Sequence, residues 1–302
     1  MEYKPIQTVM KYSRRAFIST TAAGIGAALL NGSFAEGAEL ARKHSPYEKV
    51  TLGKTGISTT RLCLGTGIRG GGKESNLTRL GYDKGVQLVR SIYDKGVRMV
   101  DMADSYGTHG IVGEALKIHP RKDYVLFTKL WCNEETKDVD ATIQRFLKEL
   151  QTDYIDGVML HCITSKNWNT ELNVYMEGLQ RAKQKGLIRS HGLSCHSLAA
   201  VETAVGESWV DCIHVRINPF AINMDDQPEK VTPVVKQLHD AGKGVIGMKV
   251  FGEGQFAGDP AKKDESLNYI LHLGAVDVLD IGMDKISDLI DTEKRIRRVS
   301  LK

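Results

Sequence analysis

From residue 62 to residue 296 the chain repeats one pattern: an apolar run of strand length, then a longer stretch whose apolar residues recur at helical spacing. The strand-like runs are "LCLGT", "VRMVDMA", "YVLFTKL", "YIDGVMLH", "IRSHGLSC", "VDCIHVRI", "GVIGMKVFG" and "AVDVLDIGMD". Between them lie helical stretches near residues 83–95 and 110–117, then "KDVDATIQRFLKEL", "TELNVYMEGLQRAKQKG", "LAAVETAVG", "PVVKQLHDAG" and "ESLNYILHLG", with "KISDLIDTEKRI" closing the series. Strands apolar on both faces need cover on both, which a parallel sheet wrapped in helices provides. The pattern predicts an α/β fold, a closed (β/α)8 TIM barrel. Before it, "KVTLGKTGISTTRLCLG" has two short alternating runs around Gly53 and Gly56, predicting an N-terminal β-hairpin. An open doubly wound sheet fits less well, because no GxGxxG follows the first strand. Gly96, Gly186, Gly206, Gly242 and Gly274 stand at helix-to-strand joins, where a left-handed residue ends a helix.

A chain of 302 residues, 41% hydrophobic, suffices for one such barrel. Its 41 basic and 37 acidic residues leave a formal charge of only +4, which excludes a nucleic-acid footprint by composition. The N-terminus carries a different signal. "SRRAFISTTAAGIGAALLNGSFA" sets Arg14 and Arg15 before an uncharged run rich in Ala and Gly, followed by small residues. This reads as a twin-arginine export signal over residues 1–35, cleaved after Ala35, with a linker at 36–47 and the barrel at 48–302. The apolar run is too short for the roughly 20 residues of a spanning helix, so no stable membrane span is expected in the mature form. The twin-arginine translocase is then a partner during export, and the destination is the periplasm. Cys63, Cys132, Cys162, Cys195 and Cys212 show no CxxC spacing and read as buried thiols, as expected of a protein folded before export.

Barrels of this type hold their sites at the C-terminal ends of the strands. Those ends offer Asp101, Asp104 and Tyr106 in "VRMVDMADSYG", then Lys129, His161, the Ser194-Cys195-His196 run, His214 and Asn218, and Lys249. "DMADSYG", "GIVGEAL", "LFTKL" and "VMLHC" resemble, in order, the motifs of the aldo-keto reductases, and the resemblance spans residues 48 to 295. Asp101, Tyr106, Lys129 and His161 match that family's catalytic tetrad. The resemblance implies an NAD(P)(H)-dependent oxidoreductase that interconverts a small carbonyl compound and an alcohol, with NADP(H) as the expected cofactor and NAD(H) as the alternative.

The residue types suit that chemistry on their own terms. Reduction of a carbonyl needs hydride at carbon and a proton at oxygen. Tyr106 supplies the proton, Lys129 makes its phenolate easier to form, Asp101 holds the lysine, and His161 orients the carbonyl oxygen. Asp104 reads as a loop or rim residue. On the cofactor side the resemblance places Ser194, Cys195 and His214 at the nicotinamide carboxamide, with His214 expected to donate a hydrogen bond. It places Lys249, Phe251, Gly252 and Gly254 at the pyrophosphate, and Lys285, Ser287 and Asp291 at the adenosine end. Asp284 opposes a 2′-phosphate there. The short stretch after the last helix implies an open pocket. Two further readings stand beside this one: a cofactor-binding barrel acting as sensor or partner, and a metal-dependent hydrolase or isomerase using Asp101, Asp104, His161, His191, His196 and His214. No metal is expected, because Lys129 and Tyr106 would be idle in a metal mechanism.

Overall fold

The computed structural model describes residues 44–300. The predicted export signal, including Arg14, Arg15 and Ala35, and most of the linker lie outside the described residues. Strands β1 (Lys49–Thr51) and β2 (Ser58–Thr60) form the antiparallel hairpin. Eight parallel strands follow: β3 (Leu62–Gly65), β4 (Met99–Asp101), β5 (Val125–Leu130), β6 (Ile155–Ile163), β7 (Ile188–Cys195), β8 (Cys212–Arg216), β9 (Gly244–Met248) and β10 (Val278–Gly282). β10 pairs with both β9 and β3, so the sheet closes into a barrel.

The outer layer consists of α1 (Asn76–Arg79), α2 (Tyr82–Asp94), α3 (His109–Leu116), α4 (Val139–Leu150), α5 (Trp168–Glu171), α6 (Asn173–Gln184), α7 (Leu198–Gly206), α8 (Pro228–Asp240), α9 (Pro260–Leu273) and α10 (Ile286–Ile296). Local chemistry sets where they start. Asp138 accepts from the Ala141 N–H at 2.9 Å at the head of α4, and Val139, Ile143, Phe146, Leu147 and Leu150 then share its buried face. Asp259 caps α9 in the same way, with Pro260 in its first turn.

Some bounds differ from the sequence pattern. α8 begins at Pro228 and carries Pro233 inside it, because Pro228 takes the first-turn position where its missing N–H is not needed. β9 stops at Met248, since Lys249 adopts a left-handed φ of 59° that no strand continues through. Gly96, Gly186, Gly242 and Gly274 have positive φ as expected, whereas Gly206 does not and simply ends α7.

Successive strand residues point to opposite faces, and this alternation builds the barrel interior. Cys63, Met99, Phe127, Met159, Cys212, Ile246 and Val278 form a buried inner cluster. Leu52 and Ile57 of the hairpin join that cluster and plug the end where the strands begin. At the same end Leu62 N–H donates to Pro46 O at 2.9 Å. There too the described chain meets itself, His44 N–H donating to Val299 O at 3.1 Å.

Candidate active site

Two residues beyond five of the seven strand residues of the inner cluster, one pleat nearer the strand ends, the character changes. Met99 gives way to Asp101, Phe127 to Lys129, Met159 to His161, Cys212 to His214, and Val278 to Asp280. The apolar cluster is thus the floor of a polar site at the C-terminal mouth. Tyr106 enters from the turn after β4, a single 3-10 turn over Asp104–Tyr106. Its ring lies against Gly67 and Gly70, where an added Cβ would come within 2.5 Å of ring carbons. Only glycine admits the phenol at this depth.

The tetrad assembles here. Lys129, 2% exposed, donates to the Asp101 carboxylate and to Met102 O at 3.0 Å. Its ammonium lies 5.3 Å from the Tyr106 ring centre, and the Tyr106 hydroxyl is 3.4 Å from His161 Nε2. Burial pushes the Asp101 carboxyl up, but Lys129 and His214 outweigh it and hold the group down at about 2. Burial also disfavours charge on Lys129, and Asp101 outweighs that, raising the ammonium above its ordinary value. Burial and then Lys129 push His161 well below its usual value, leaving a neutral imidazole at neutral pH. Tyr106 departs from expectation. Lys129 does favour its phenolate, yet burial is the larger effect and carries the phenol up to about 12.

Other polar residues have local work. Asp104 is pinned by Lys73 and by the Arg145 fork at 2.8 and 2.9 Å. His191 sits outside the barrel, stacked on Trp209 with ring centres 4.3 Å apart and donating from Nε2 to Gln180 Oε1 at 2.9 Å. His196 packs on Cys162, whose Sγ is 3.3 Å from Nδ1. The six ligands imagined for a metal site therefore do not gather into one set, although Asp101 and His214 touch. Asp101, His214 and Asp280 do offer three atoms within 4.8 Å of one another, but the Lys129 ammonium already rests on that Asp101. All five cysteines are free thiols; Cys63, Cys195 and Cys212 are buried as expected, while Cys132 and Cys162 are only partly so.

A cavity of about 640 Å³ runs from Asp101, Tyr106 and Lys129 past Met248, Lys249 and Phe251 to Asp284, Asp288 and Thr292. The family model "Aldo/keto reductase family" matches residues 61–269. The chain belongs to that family. It is similar to aldo-keto reductase AKR2E4 of Bombyx mori, 30% identical over 220 residues covering 68% of each chain. The structure of that protein in complex with NADP aligns with a TM-score of 0.63 at 22% identity, covering 84% of this chain and 89% of that one. The holo form of aldo-keto reductase AKR11C1 from Bacillus halodurans aligns at 0.67 and 19% identity, covering 85% and 93%. A methylglyoxal reductase, DkgB of Salmonella typhi, is 29% identical over 140 residues, 45% of this chain and about half, 51%, of its own length. Membership makes the chain an oxidoreductase that interconverts carbonyl and alcohol with NAD(P)(H).

The reductase's own residues fit such a cofactor, with corrections to the expected set. Ser194 faces the barrel interior, and its buried Oγ has no hydrogen-bond partner among the described residues. Cys195, the next residue, must face the other way; it lies in the layer between barrel and helices and cannot meet the carboxamide. His214 is inward but is not a free donor. Its Nε2–H bonds Asp101 Oδ1 at 2.9 Å, leaving buried Nδ1 as an unpaired acceptor. An orphaned hydroxyl and an orphaned acceptor suit a primary amide, which offers one acceptor and two donors.

Farther along, Lys249, Phe251 and Gly254 line the cavity. Gly252 is buried behind them, where a Cβ would lie 2.8 Å from the Phe256 ring, so packing requires it. Lys249 Nζ pairs with Glu253 at 2.7 Å. Lys285 and Ser287 are exposed and off the cavity wall, and Asp291 is held by Arg295 and Lys263. Asp284 and Asp288 line the wall instead, and Asp288 accepts from the backbone N–H of Asp284 at 3.0 Å and of Lys285 at 3.2 Å. Sequence reading gave neither Asp280 nor Asp288 a role. Trp131 was also missed; its indole is 42% exposed and edge-on to His161 at 5.1 Å.

Proposed function

We propose that this reductase protonates the carbonyl oxygen of its substrate from Tyr106 while hydride arrives at carbon. The observation that carries the assignment is the convergence of Asp101, Tyr106, Lys129 and His161 above one apolar floor. Lys129, fixed by Asp101, opposes the buildup of negative charge on the phenol oxygen as the proton leaves. Neutral His161 sits beside that oxygen and can donate from Nε2 to the carbonyl once it displaces the tyrosine contact. The nicotinamide cofactor, when bound, supplies the hydride; Ser194 Oγ and His214 Nδ1 would hold its carboxamide. Trp131 gives the substrate an apolar wall beside His161. Similarity to the methylglyoxal reductases makes short aldehydes the substrates to assay first.

The cofactor expected from the resemblance is NADP(H), with NAD(H) as the alternative. Titration of the purified domain with each, following the combined emission of Trp131, Trp168 and Trp209, measures both affinities. Tyr106→Phe should lower kcat/KM for aldehyde reduction by at least about 100-fold, the lower range for a general acid, with cofactor affinity within about twofold. Retained turnover in that variant removes Tyr106 from the mechanism.

The export reading is also a proposal. It is supported by Arg14-Arg15 and the Ala- and Gly-rich run behind them, and it places the mature enzyme in the periplasm. No helix among the described residues is long and apolar enough to cross a membrane. Replacing both arginines with lysine should leave the protein in the cytoplasmic fraction; unchanged fractionation contradicts the route.

A further inference from the structure

On β10, Val278 belongs to the barrel floor and Asp280, two residues on, faces the mouth. It lines the cavity shared by Asp101, Tyr106 and Lys129. Gly65 on neighbouring β3 makes room for it, since a Cβ there would lie 2.4 Å from Asp280 Oδ1. That oxygen is buried and has no hydrogen-bond partner among the described residues. A carboxylate oxygen of Asp280 lies within 4.8 Å of ligand atoms on both Asp101 and His214.

Two carboxyl groups therefore share the space around one ammonium. Asp101 spends one oxygen on Lys129 and the other on His214, and these partners keep it ionised. A second carboxylate there would have no cation of its own, and like charges this close retain a proton between them. The groups facing Asp280 are Cys63 from β3, Asp101 from β4 with Tyr106 after it, Lys129 from β5, His214 from β8 and Lys249 after β9. Burial and then Asp101 push the Asp280 carboxyl well above the usual range, and Lys129 and Lys249 pull it back without cancelling this.

We propose that Asp280 is a further acid–base residue of this site: a carboxylic acid that passes a proton through Asp101 and Lys129 to Tyr106 after the phenol has protonated the substrate. Lys129 gives a proton to the phenolate and becomes an amine. The Asp280 proton crosses to Asp101, and Asp101 returns it to the lysine. In sum the phenolate becomes phenol and Asp280 becomes a carboxylate, which takes its next proton from water in the cavity. The proposal rests on Tyr106 as the proton donor.

Asp280→Asn keeps the shape and removes the transferable proton, with Asp280→Ser as a second variant should the amide disturb folding. In unliganded protein, a carboxyl raised in the folded state adds stability below its unfolded pKa and loses it as pH rises through the folded value. The melting temperature of the Asn variant should therefore gain on the native protein between pH 4 and pH 8. A constant difference shows that Asp280 carries no proton and overturns the proposal. This comparison needs neither cofactor nor substrate, so it holds or fails independently of the Tyr106 assignment. In turnover, the native kcat for reduction should fall as Asp280 ionises. The Asn variant should lose that limb and at least tenfold in kcat, while the first-turnover rate of hydride transfer stays unchanged. An Asn variant with native kcat and the native pH limb overturns the relay, because a purely structural role would not move a pH profile.

Discussion

At neutral pH Tyr106 carries its proton, Lys129 its charge and His161 none, each for a reason visible in its surroundings. A phenol held up at about 12 suits reduction, since an alkoxide is a stronger base and takes the proton readily. The reverse reaction needs phenolate. Alcohol oxidation should therefore accelerate steadily with pH up to about 12, while ionisation of Tyr106 imposes no loss on reduction below that. Rate profiles in both directions would check this, and an oxidation plateau near pH 8 would contradict it. Asp101, Lys129 and His161 were legible because each stands at or near the end of an apolar strand as a residue that no core tolerates alone, and Tyr106 because it follows in the turn just after Asp101. Asp280 was not, because "VDVLDIG" offers two aspartates. Asp277 faces away and accepts from the Val245 N–H at 2.8 Å; only the inward placement of Val278 tells which one enters the barrel. The reversed role of His214 was equally hidden, since its hydrogen bond crosses 113 residues of sequence.

The strand–helix alternation was legible along its length, and the errors lie at element ends. β4 is only Met99–Asp101, and the left-handed residue at Lys249 cuts β9 short, both beside the site. Apolar patterning cannot report such turns, since the residues continue the pattern while the backbone leaves it. The hairpin is an element with one task. Leu52 and Ile57 are fully buried beneath the floor, so Ile57→Ala should destabilise the barrel by about 2–5 kcal/mol. Activity per folded molecule should not change, as the plug is at the far end from Tyr106; urea unfolding and active-site titration together check both halves. At the head of α10, Asp288 occupies the backbone donors that an anion would otherwise meet. Asp288→Ala should raise affinity for NADPH several-fold more than for NADH. Equal changes in the two titrations would place the cofactor's 2′ substituent away from this helix.

For the molecule as a whole, the buried carboxyls pull stability in two directions. Asp104, which burial pushes up but Arg145 and Lys73 hold at about 2, acts with Asp101. Both are depressed on folding, so their stabilisation is present above the ordinary carboxylate range near 4 and is lost as pH falls through about 2. Asp280 has the opposite sign, its contribution fading as pH rises through its raised folded value. Melting temperature should thus peak on the mildly acidic side of neutrality, and a peak above pH 8 would contradict this balance. The hydrogen bond between His44 and Val299 closes the described chain into a ring at the plugged end. A barrel fastened to a bead, a scaffold or a neighbouring protein at residue 44 or residue 300 would stand with its mouth turned outward. These two positions are thus natural handles for immobilising the enzyme, and a circularly permuted version of the described chain could join them by a short linker and open a loop elsewhere.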